Sequence, residues 1–134
     1  MEGLAPAAKN IRVLLVDDAP SMRSLLAAII KSFGIKKISE AGDGAAALQV
    51  LNSKDIDLIV CDWEMPKMNG LELFSTLSEN MDYENIPFIL VTSMSEVSKV
   101  KVAIKQGVKH YIVKPFKPDT ILSEINAIFP PVEE

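Results

Sequence analysis

Five short apolar segments that alternate with helix-like segments constrain the fold of this chain more than any other feature of its sequence. Residues 11–16 (IRVLLV), 57–61 (DLIVC) and 87–91 (PFILV) are nearly continuous apolar runs, typical of strands covered on both faces. The segments at 37–41 and 110–113 are weaker strand candidates. Between these segments, apolar residues recur every three or four positions, as on the buried face of a helix. This alternation predicts an α/β fold, in which a parallel sheet with right-handed crossovers carries helices on both faces.

Length and composition are those of one globular domain. The chain has 134 residues, of which 49% are hydrophobic and 24% are charged, so it can build a core and is not a disordered segment. Lys and Arg number 14 and Asp and Glu number 18, which gives a net charge of −4 and argues against nucleic-acid binding. Its apolar runs are far shorter than the ~20 residues that cross a bilayer, so we expect no membrane insertion.

The single cysteine and the chain ends complete this outline. Cys61 alone excludes an internal disulfide and a cysteine zinc cluster, which suggests a reducing cytosol and a cytoplasmic protein. Residues 11–130 are predicted to form the domain, with a flexible N-terminal extension at 1–10 and a C-terminal tail at 131–134.

Polar side chains stand at the end of four predicted strands. Asp17 and Asp18 follow the first strand, Asp62 the third, Thr92 the fourth and Lys114 the fifth. The carboxyl ends of parallel strands share one edge of a sheet, where ligands of such folds bind, so we expect these groups to meet there. Each of them alone could cap a helix or lie in solvent. Capping does not explain the set, because it does not call for a second, adjacent carboxylate.

This residue set suggests a particular chemistry. Carboxylates that lie close together repel each other, and one would stay protonated near neutral pH unless a cation lay between them. Oxygen ligands favour a hard ion such as Mg²⁺ or Mn²⁺. A divalent ion and the ammonium group of Lys114, facing a carboxylate nucleophile, are suited to phosphoryl transfer onto an aspartate.

These residues carry a family resemblance that extends over about 11–129. The chain resembles the receiver domain of two-component response regulators, most closely the single-domain chemotaxis regulators of the CheY kind. The motifs that carry the resemblance are Asp17-Asp18, Asp62 within VCDWEMPKMNG, Thr92-Ser93 and Lys114-Pro115-Phe116. The resemblance implies a flavodoxin-like (βα)5 fold, with a five-stranded parallel sheet in the order 2-1-3-4-5.

The resemblance also implies roles at the site. Asp62 would accept the phosphoryl group. Asp18 and Asp62 would bind Mg²⁺ directly, together with the backbone carbonyl of Glu64, while Asp17 would act through water. Lys114 would contact the phosphoryl group, and its bond to the following proline is expected to be cis.

A conformational switch and a partner surface are implied as well. Thr92 and Tyr111 would form the switch, in which the hydroxyl group moves toward the phosphoryl group and the ring turns into the vacated space. The readout surface would comprise the fourth helix, the fifth strand and the fifth helix. On that surface, Lys99, Lys101 and Lys105 would join Tyr111 in binding an acidic partner; the alternative is that these lysines form only a solvated face.

The resemblance implies that the protein is a signalling domain and not an enzyme with a substrate of its own. A histidine kinase would be the phosphodonor, and a downstream protein, with the flagellar motor switch as one candidate, would be the target. A separate phosphatase is a further candidate partner, and we expect a monomer. The side chains of Glu64 and Met94 would affect the rate at which the phosphoryl group is lost.

Three other interpretations stay open at this point. An aspartate-nucleophile phosphatase is one, because Glu64 stands two residues after Asp62, although no cap domain is present to select a substrate. A flavodoxin-like electron carrier would need a hydroxyl- and Gly-rich phosphate loop, where this chain has DDAPS. The chain could also be the receiver domain of a longer regulator. Under the receiver-domain interpretation, Trp63 is expected to be an exposed loop residue near the metal.

Overall fold

The predicted alternation of strands and helices is confirmed. The computed structural model describes residues 3–4, 6–93 and 97–130, without the side chains of Ala7 and Val97. The five strands, β1 to β5, are Arg12–Val16, Lys37–Ala41, Leu58–Asp62, Phe88–Ser93 and His110–Lys114. The five helices, α1 to α5, are Pro20–Ser32, Gly44–Ser53, Gly70–Ser78, Val97–Lys105 and Pro118–Ile128.

The strands form one parallel sheet in the order β2-β1-β3-β4-β5, as predicted. The register aligns the carboxyl ends of the central strands. Val16 lies opposite Cys61, so Asp17 follows β1 at the level of Asp62, the last residue of β3. Asp62 in turn lies opposite Val91, which places Thr92 one residue farther along β4. The pairing therefore brings polar residues that are far apart in sequence to one edge.

Each face of the sheet has its own hydrophobic core, because side chains alternate along the strands. On one face, Leu15 and Val60 pack with apolar residues of α1 and α5. On the other face, Leu14 and Ile59 pack with residues of α2, α3 and α4. All five residues of β3 are buried, as expected for a strand covered on both faces.

Part of the segment that we expected to be a flexible extension packs against the domain. Pro6–Asn10 forms a short 3₁₀ helix, and Leu4 and Ala8 are buried in the same core as α1 and α5. The stem of Lys9 lies beside Gly34, whose φ of 100° ends α1. This packing removes apolar side chains from water, an effect that the small residues of the segment did not suggest. The predicted tail at 131–134 lies outside the described residues.

Side-chain caps fix the start of two helices that follow loops. The Asp43 carboxylate accepts a hydrogen bond from Ala46 N (2.7 Å) at the start of α2. Asn69 and Glu72 form a reciprocal capping box at the start of α3, with N···O distances of 2.8 and 3.0 Å. Among the described residues, no helix has the length and apolar character needed to cross a membrane.

Candidate functional site

Three carboxylates meet at the carboxyl edge of the sheet, where the sequence placed them. Asp17, Asp18 and Asp62 each offer one oxygen, and these oxygens all lie within 4.8 Å of one another. Asp17 and Asp62 are buried, whereas Asp18 is exposed. Like charges held this close and partly out of water repel each other strongly, so the arrangement favours a bound cation.

Hydrogen bonds hold the backbone N–H and one carboxylate oxygen of Asp17. Its N–H donates to Ala41 O in β2 (3.1 Å), and its Oδ1 accepts from Ala19 N (2.9 Å). The Oδ2 atom is buried and has no hydrogen-bond partner among the described residues. A buried carboxylate oxygen without a partner is costly unless a ligand satisfies it.

Asp62 is nearly buried and forms an ion pair with Lys114. Its side chain is 9% exposed, and Oδ1 accepts a hydrogen bond from Lys114 Nζ at 3.0 Å. Burial raises the pKa of Asp62 above its ordinary value; the Lys114 ammonium opposes this shift, while the charges of Asp17 and Asp18 add to it. The net upward shift means that one adjacent lysine does not compensate for the lost hydration and the neighbouring anions.

The cluster fits a hard divalent cation. All three clustered side chains offer carboxylate oxygens, the ligand type that Mg²⁺ and Mn²⁺ prefer. The unsatisfied Oδ2 of Asp17 is an acceptor available to such an ion or to a water bound to it. Asp17, Asp18 and Asp62 could therefore hold Mg²⁺, and Glu64, which lines the same crevice, could contribute its backbone carbonyl.

An open crevice of about 550 Å³ leads to the cluster. Its walls include Asp18, Asp62 and Glu64, together with Asn69 from the start of α3. Lys99 of α4 also lines it, so this lysine, which the sequence assigned to a partner surface, borders the acidic site. A lysine that lines a crevice beside the cation site is placed to attract an anionic ligand.

Trp63 corrects one expectation. It lines the crevice as expected, but it is only 6% exposed and belongs to the core on the α2, α3 and α4 side of the sheet. Its backbone N–H donates to Val91 O (2.9 Å), which continues the β3–β4 ladder one residue past Asp62. The polar neighbours of Trp63 in sequence suggested a loop, whereas its large ring is buried by packing.

A close approach of α3 fixes the loop after Asp62. Gly70 N donates to Trp63 O (2.8 Å), and a side chain at position 70 would collide with Asp62 O and with Leu90 Cδ1, the latter at 2.8 Å. Only glycine allows the start of α3 to lie this near the end of β3. In the sequence, Gly70 was noted only as the last residue of the motif VCDWEMPKMNG. Its hydrogen bond to Trp63 O joins backbone atoms of two segments, and sequence patterns do not reveal such a contact.

The predicted switch residues occupy contrasting positions. Thr92 is fully buried at the end of β4, opposite Val113 of β5. Tyr111 of β5 is 42% exposed. The peptide bond between Lys114 and Pro115 is cis, as the resemblance implied. Met94 lies outside the described residues.

The α4 helix presents both charge and apolar area to solvent. Lys99, Lys101 and Lys105 are exposed, and so are Val102 and Ile104, each at 51%. Exposed apolar side chains beside lysines are typical of a surface that binds another protein. The structure thus separates Lys99, which borders the crevice, from Lys101 and Lys105, which do not line it.

Comparisons with known proteins agree on the family. The model of the response regulator receiver domain matches residues 13–126. Chemotaxis protein CheY-3 of Vibrio cholerae is 33% identical over 121 residues, which are 90% of this chain and 93% of that protein. A CheY homolog of Campylobacter jejuni is 34% identical over 119 residues, or 88% of this chain and 92% of that protein.

Solved structures give the same result. The chain resembles V. cholerae CheY4 with a TM-score of 0.80 and 28% identity, covering 89% of this chain and 98% of that one. It also resembles the receiver domain of a signal transduction histidine kinase from Syntrophus aciditrophicus, with a TM-score of 0.81 and 29% identity, covering 88% and 89%. The sheet order, the carboxylate cluster and these relatives together show that the chain belongs to the receiver domain family of two-component response regulators, with similarity to chemotaxis proteins of the CheY type.

Proposed function

We propose that this protein is a phosphorylation-activated response regulator, and that Asp62 accepts the phosphoryl group from a phosphohistidine of a histidine kinase. One observation carries the proposal: Asp62 lies in a carboxylate cluster within 4.8 Å and also contacts Lys114 at 3.0 Å. A buried carboxylate between a cation site and a lysine is suited to attack a phosphorus atom, because charge on the transferring group is balanced from two sides.

The transfer is a single displacement at phosphorus. An oxygen of the Asp62 carboxylate attacks the phosphorus, the bond from phosphorus to the donor imidazole nitrogen breaks, and the imidazole leaves with the bonding electron pair. Asp62 then carries an acyl phosphate. A bound Mg²⁺, held by Asp17, Asp18 and Asp62, would neutralise charge on the phosphoryl oxygens. Later attack by water on the phosphorus releases inorganic phosphate and restores the carboxylate.

Lys114 and Thr92 act on the added group. Once Asp62 is phosphorylated, the Lys114 ammonium exchanges its carboxylate contact for a phosphoryl oxygen, which keeps an ion pair between positions 62 and 114. Thr92 lies one residue beyond the level of Asp62 on the adjacent strand, so a small displacement of its hydroxyl group would reach another phosphoryl oxygen. The movement of Thr92 and of Tyr111 would transmit the change to α4, β5 and α5.

The nucleophile can be tested with two matched carboxylate substitutions. With Mg²⁺ and a small phosphodonor such as acetyl phosphate, the wild-type protein should gain one phosphoryl group per chain, detected by intact mass. Asp62→Asn should abolish this gain. Asp57→Asn, which removes a carboxylate at the opposite edge of the sheet, should leave it unchanged. Uptake by Asp62→Asn at the wild-type rate would mean that another residue is the nucleophile.

The output would be binding of an acidic partner protein by the α4, β5 and α5 surface of a cytoplasmic monomer. Because the relatives include chemotaxis proteins, a flagellar motor switch protein is the first target to test. Lys101→Glu with Lys105→Glu should weaken binding of the beryllofluoride-activated protein by about tenfold, since rim charges set association rates. Phosphorylation should stay unchanged, because neither lysine lines the crevice.

A matched charge reversal distinguishes a specific surface from a general effect. Lys36→Glu with Lys54→Glu changes the net charge by the same amount at two exposed residues, one just before β2 and one just after α2, on the side of the sheet opposite β5. It should leave partner binding unchanged. Equal loss of binding in this double variant would show that the affinity depends on net charge alone and would contradict the proposed surface.

A further inference from the structure

Arg23 of α1 connects its helix to β2 and to Asp17, which follows β1. It lies in the first turn of α1, and its side chain is 21% exposed. Its Nη1 donates to the backbone carbonyl of Asp17 at 2.6 Å, and its Nε donates to Glu40 Oε1 in β2 at 3.0 Å. One guanidinium group therefore ties the end of β1 to the neighbouring strand and to the helix that follows. Its planar fork suits this double contact.

The contacts of Asp17 show what this connection achieves. Its N–H is bonded to Ala41 O, its carbonyl oxygen to Arg23 and its Oδ1 to Ala19 N. Of the polar atoms of Asp17, Oδ2 is the one without a hydrogen-bond partner among the described residues. One acceptor, Ala41 O, and two donors, Arg23 and Ala19 N, thus fix the backbone and one side-chain oxygen of Asp17, and the remaining oxygen is kept in the cluster.

From this geometry we propose that Arg23 is a positioning residue of the cation site: it holds the backbone of Asp17 so that Oδ2 stays directed at the bound ion. The inference rests on the proposed Mg²⁺ site. Partners that orient metal ligands commonly change metal affinity by about 10- to 100-fold when they are removed. Arg23 acts through Asp17 and is not itself a ligand, because a guanidinium group has no acceptor atom.

A positioning role and simple charge repulsion predict opposite changes in Mg²⁺ affinity when Arg23 is removed. Arg23 is a cation near the site, so by Coulomb repulsion alone its removal would strengthen Mg²⁺ binding. Its ion pair with Glu40 already offsets part of that charge. If Arg23 acts by holding Asp17, its removal weakens Mg²⁺ binding. The direction of the change therefore decides between the two roles.

The test compares Arg23→Gln with Arg12→Gln. Both substitutions remove an arginine that contacts a carboxylate near one end of β1, but Arg12 lies at the amino end and pairs with Asp57. The Mg²⁺ dissociation constant of each full-length variant is measured by isothermal titration calorimetry, and the thermal stability is measured in EDTA. We expect Mg²⁺ binding to weaken about tenfold in Arg23→Gln and to stay unchanged in Arg12→Gln.

Two further variants keep the test decisive. Arg23→Lys retains the charge but offers no planar fork, so it should also weaken Mg²⁺ binding; this variant replaces Arg23→Gln if that protein fails to fold. Glu40→Gln keeps the Asp17 contact and should bind Mg²⁺ nearly as well as the wild type.

The possible failures are distinguishable. If the wild-type protein binds no Mg²⁺, the proposed cation site is wrong and this inference falls with it. If the wild type binds Mg²⁺ but Arg23→Gln and Arg23→Lys bind it equally well or more tightly, only the positioning role is overturned. Equal weakening in Arg12→Gln would also overturn it, because the loss would then reflect general destabilisation.

Discussion

The two edges of the sheet treat charged residues in opposite ways. At the amino edge, Arg12 contacts Asp57 through Nε and Nη2 at 3.0 and 3.1 Å, and His110 lies 3.0 Å from Glu124. At the carboxyl edge, three carboxylates cluster, and Lys114 is the one lysine or arginine that forms an ion pair with them among the described residues. The ion pair of Arg12 with Asp57 at the amino edge stabilises the fold, whereas the unbalanced carboxylates at the carboxyl edge favour a bound cation.

The carboxyl pKa values show the same contrast. The hydrogen bond from Arg12 lowers the pKa of Asp57 below its ordinary value, more than its partial burial raises it. Burial is the largest effect on Asp62 and raises its pKa despite Lys114. The ionised carboxylate of Asp57 thus stabilises the fold, whereas that of Asp62 destabilises it, because the two residues differ in hydration and in partners.

The largest expected effect comes from crowding the carboxyl edge. Gly70→Ala should lower the free energy of unfolding by about 3 kcal/mol, because the added methyl group meets the backbone of Asp62 and the side chain of Leu90. Gly44→Ala is the matched control. Its methyl group meets mainly the flexible end of Met68, which can move, so the loss should be much smaller. Urea unfolding of both variants measures the difference; equal losses would contradict a rigid approach at Gly70.

Neutralising one aspartate at each edge should change stability with opposite signs. In EDTA, Asp62→Asn should raise the free energy of unfolding by about 1 kcal/mol, because it removes a buried charge that repels its neighbours. Asp57→Asn should lower Tm by about 2 °C, because Arg12 loses its charged partner. Thermal unfolding at neutral pH gives both values. Destabilisation by Asp62→Asn in the absence of metal would remove the contrast between the edges.

The pH dependence should separate the same two carboxylates. The folded-state pKa of Asp62 lies above 3.8, the ordinary value of an aspartate, so its protonated form favours folding, and stability falls as pH rises from 3.8 through the folded pKa. The folded-state pKa of Asp57 lies below 3.8, so its contribution is present above 3.8 and is lost as pH falls through the folded pKa. Thermal unfolding in EDTA from about pH 2.5 to pH 7 should show the first component vanish in Asp62→Asn and the second in Asp57→Asn.

The smallest expected effect is spectroscopic. Trp63 is the only tryptophan, is buried and lines the crevice, so Mg²⁺ should change its emission by about 10–30% while acrylamide quenches it weakly. Asp18→Asn should reduce the Mg²⁺ response, and Asp57→Asn should retain it. Strong acrylamide quenching would contradict the burial of Trp63, and a response retained by Asp18→Asn would place the ion elsewhere.

Patterns local to the sequence predicted the alternation of strands and helices and the polar residues at the strand ends, whereas the strand order, the cis peptide bond and the expected residue roles came from the family resemblance. Buried strands are read from short apolar runs, and polar residues at strand ends must meet once the strands are parallel, so Asp17, Asp62 and Lys114 were found together. The bonds of Arg23 were not foreseen, because a polar residue on a helix carries no mark of which carbonyl it reaches. The contacts of Gly70 and Lys99 depend on how α3 and α4 pack against the sheet. The periodicity of apolar residues does not give the distances between a helix and the strands beside it.

The position of Asp62 at the tip of the central strand has a mechanical consequence. Its strand is buried along its whole length and is flanked on both sides, so the interior beneath it is close-packed and yields little. Bulk added to this side chain is therefore accommodated outward, toward the loops and the α4 residue that line the crevice. A group added to Asp62 would thus displace residues at the surface of the domain and not the interior beneath the strand.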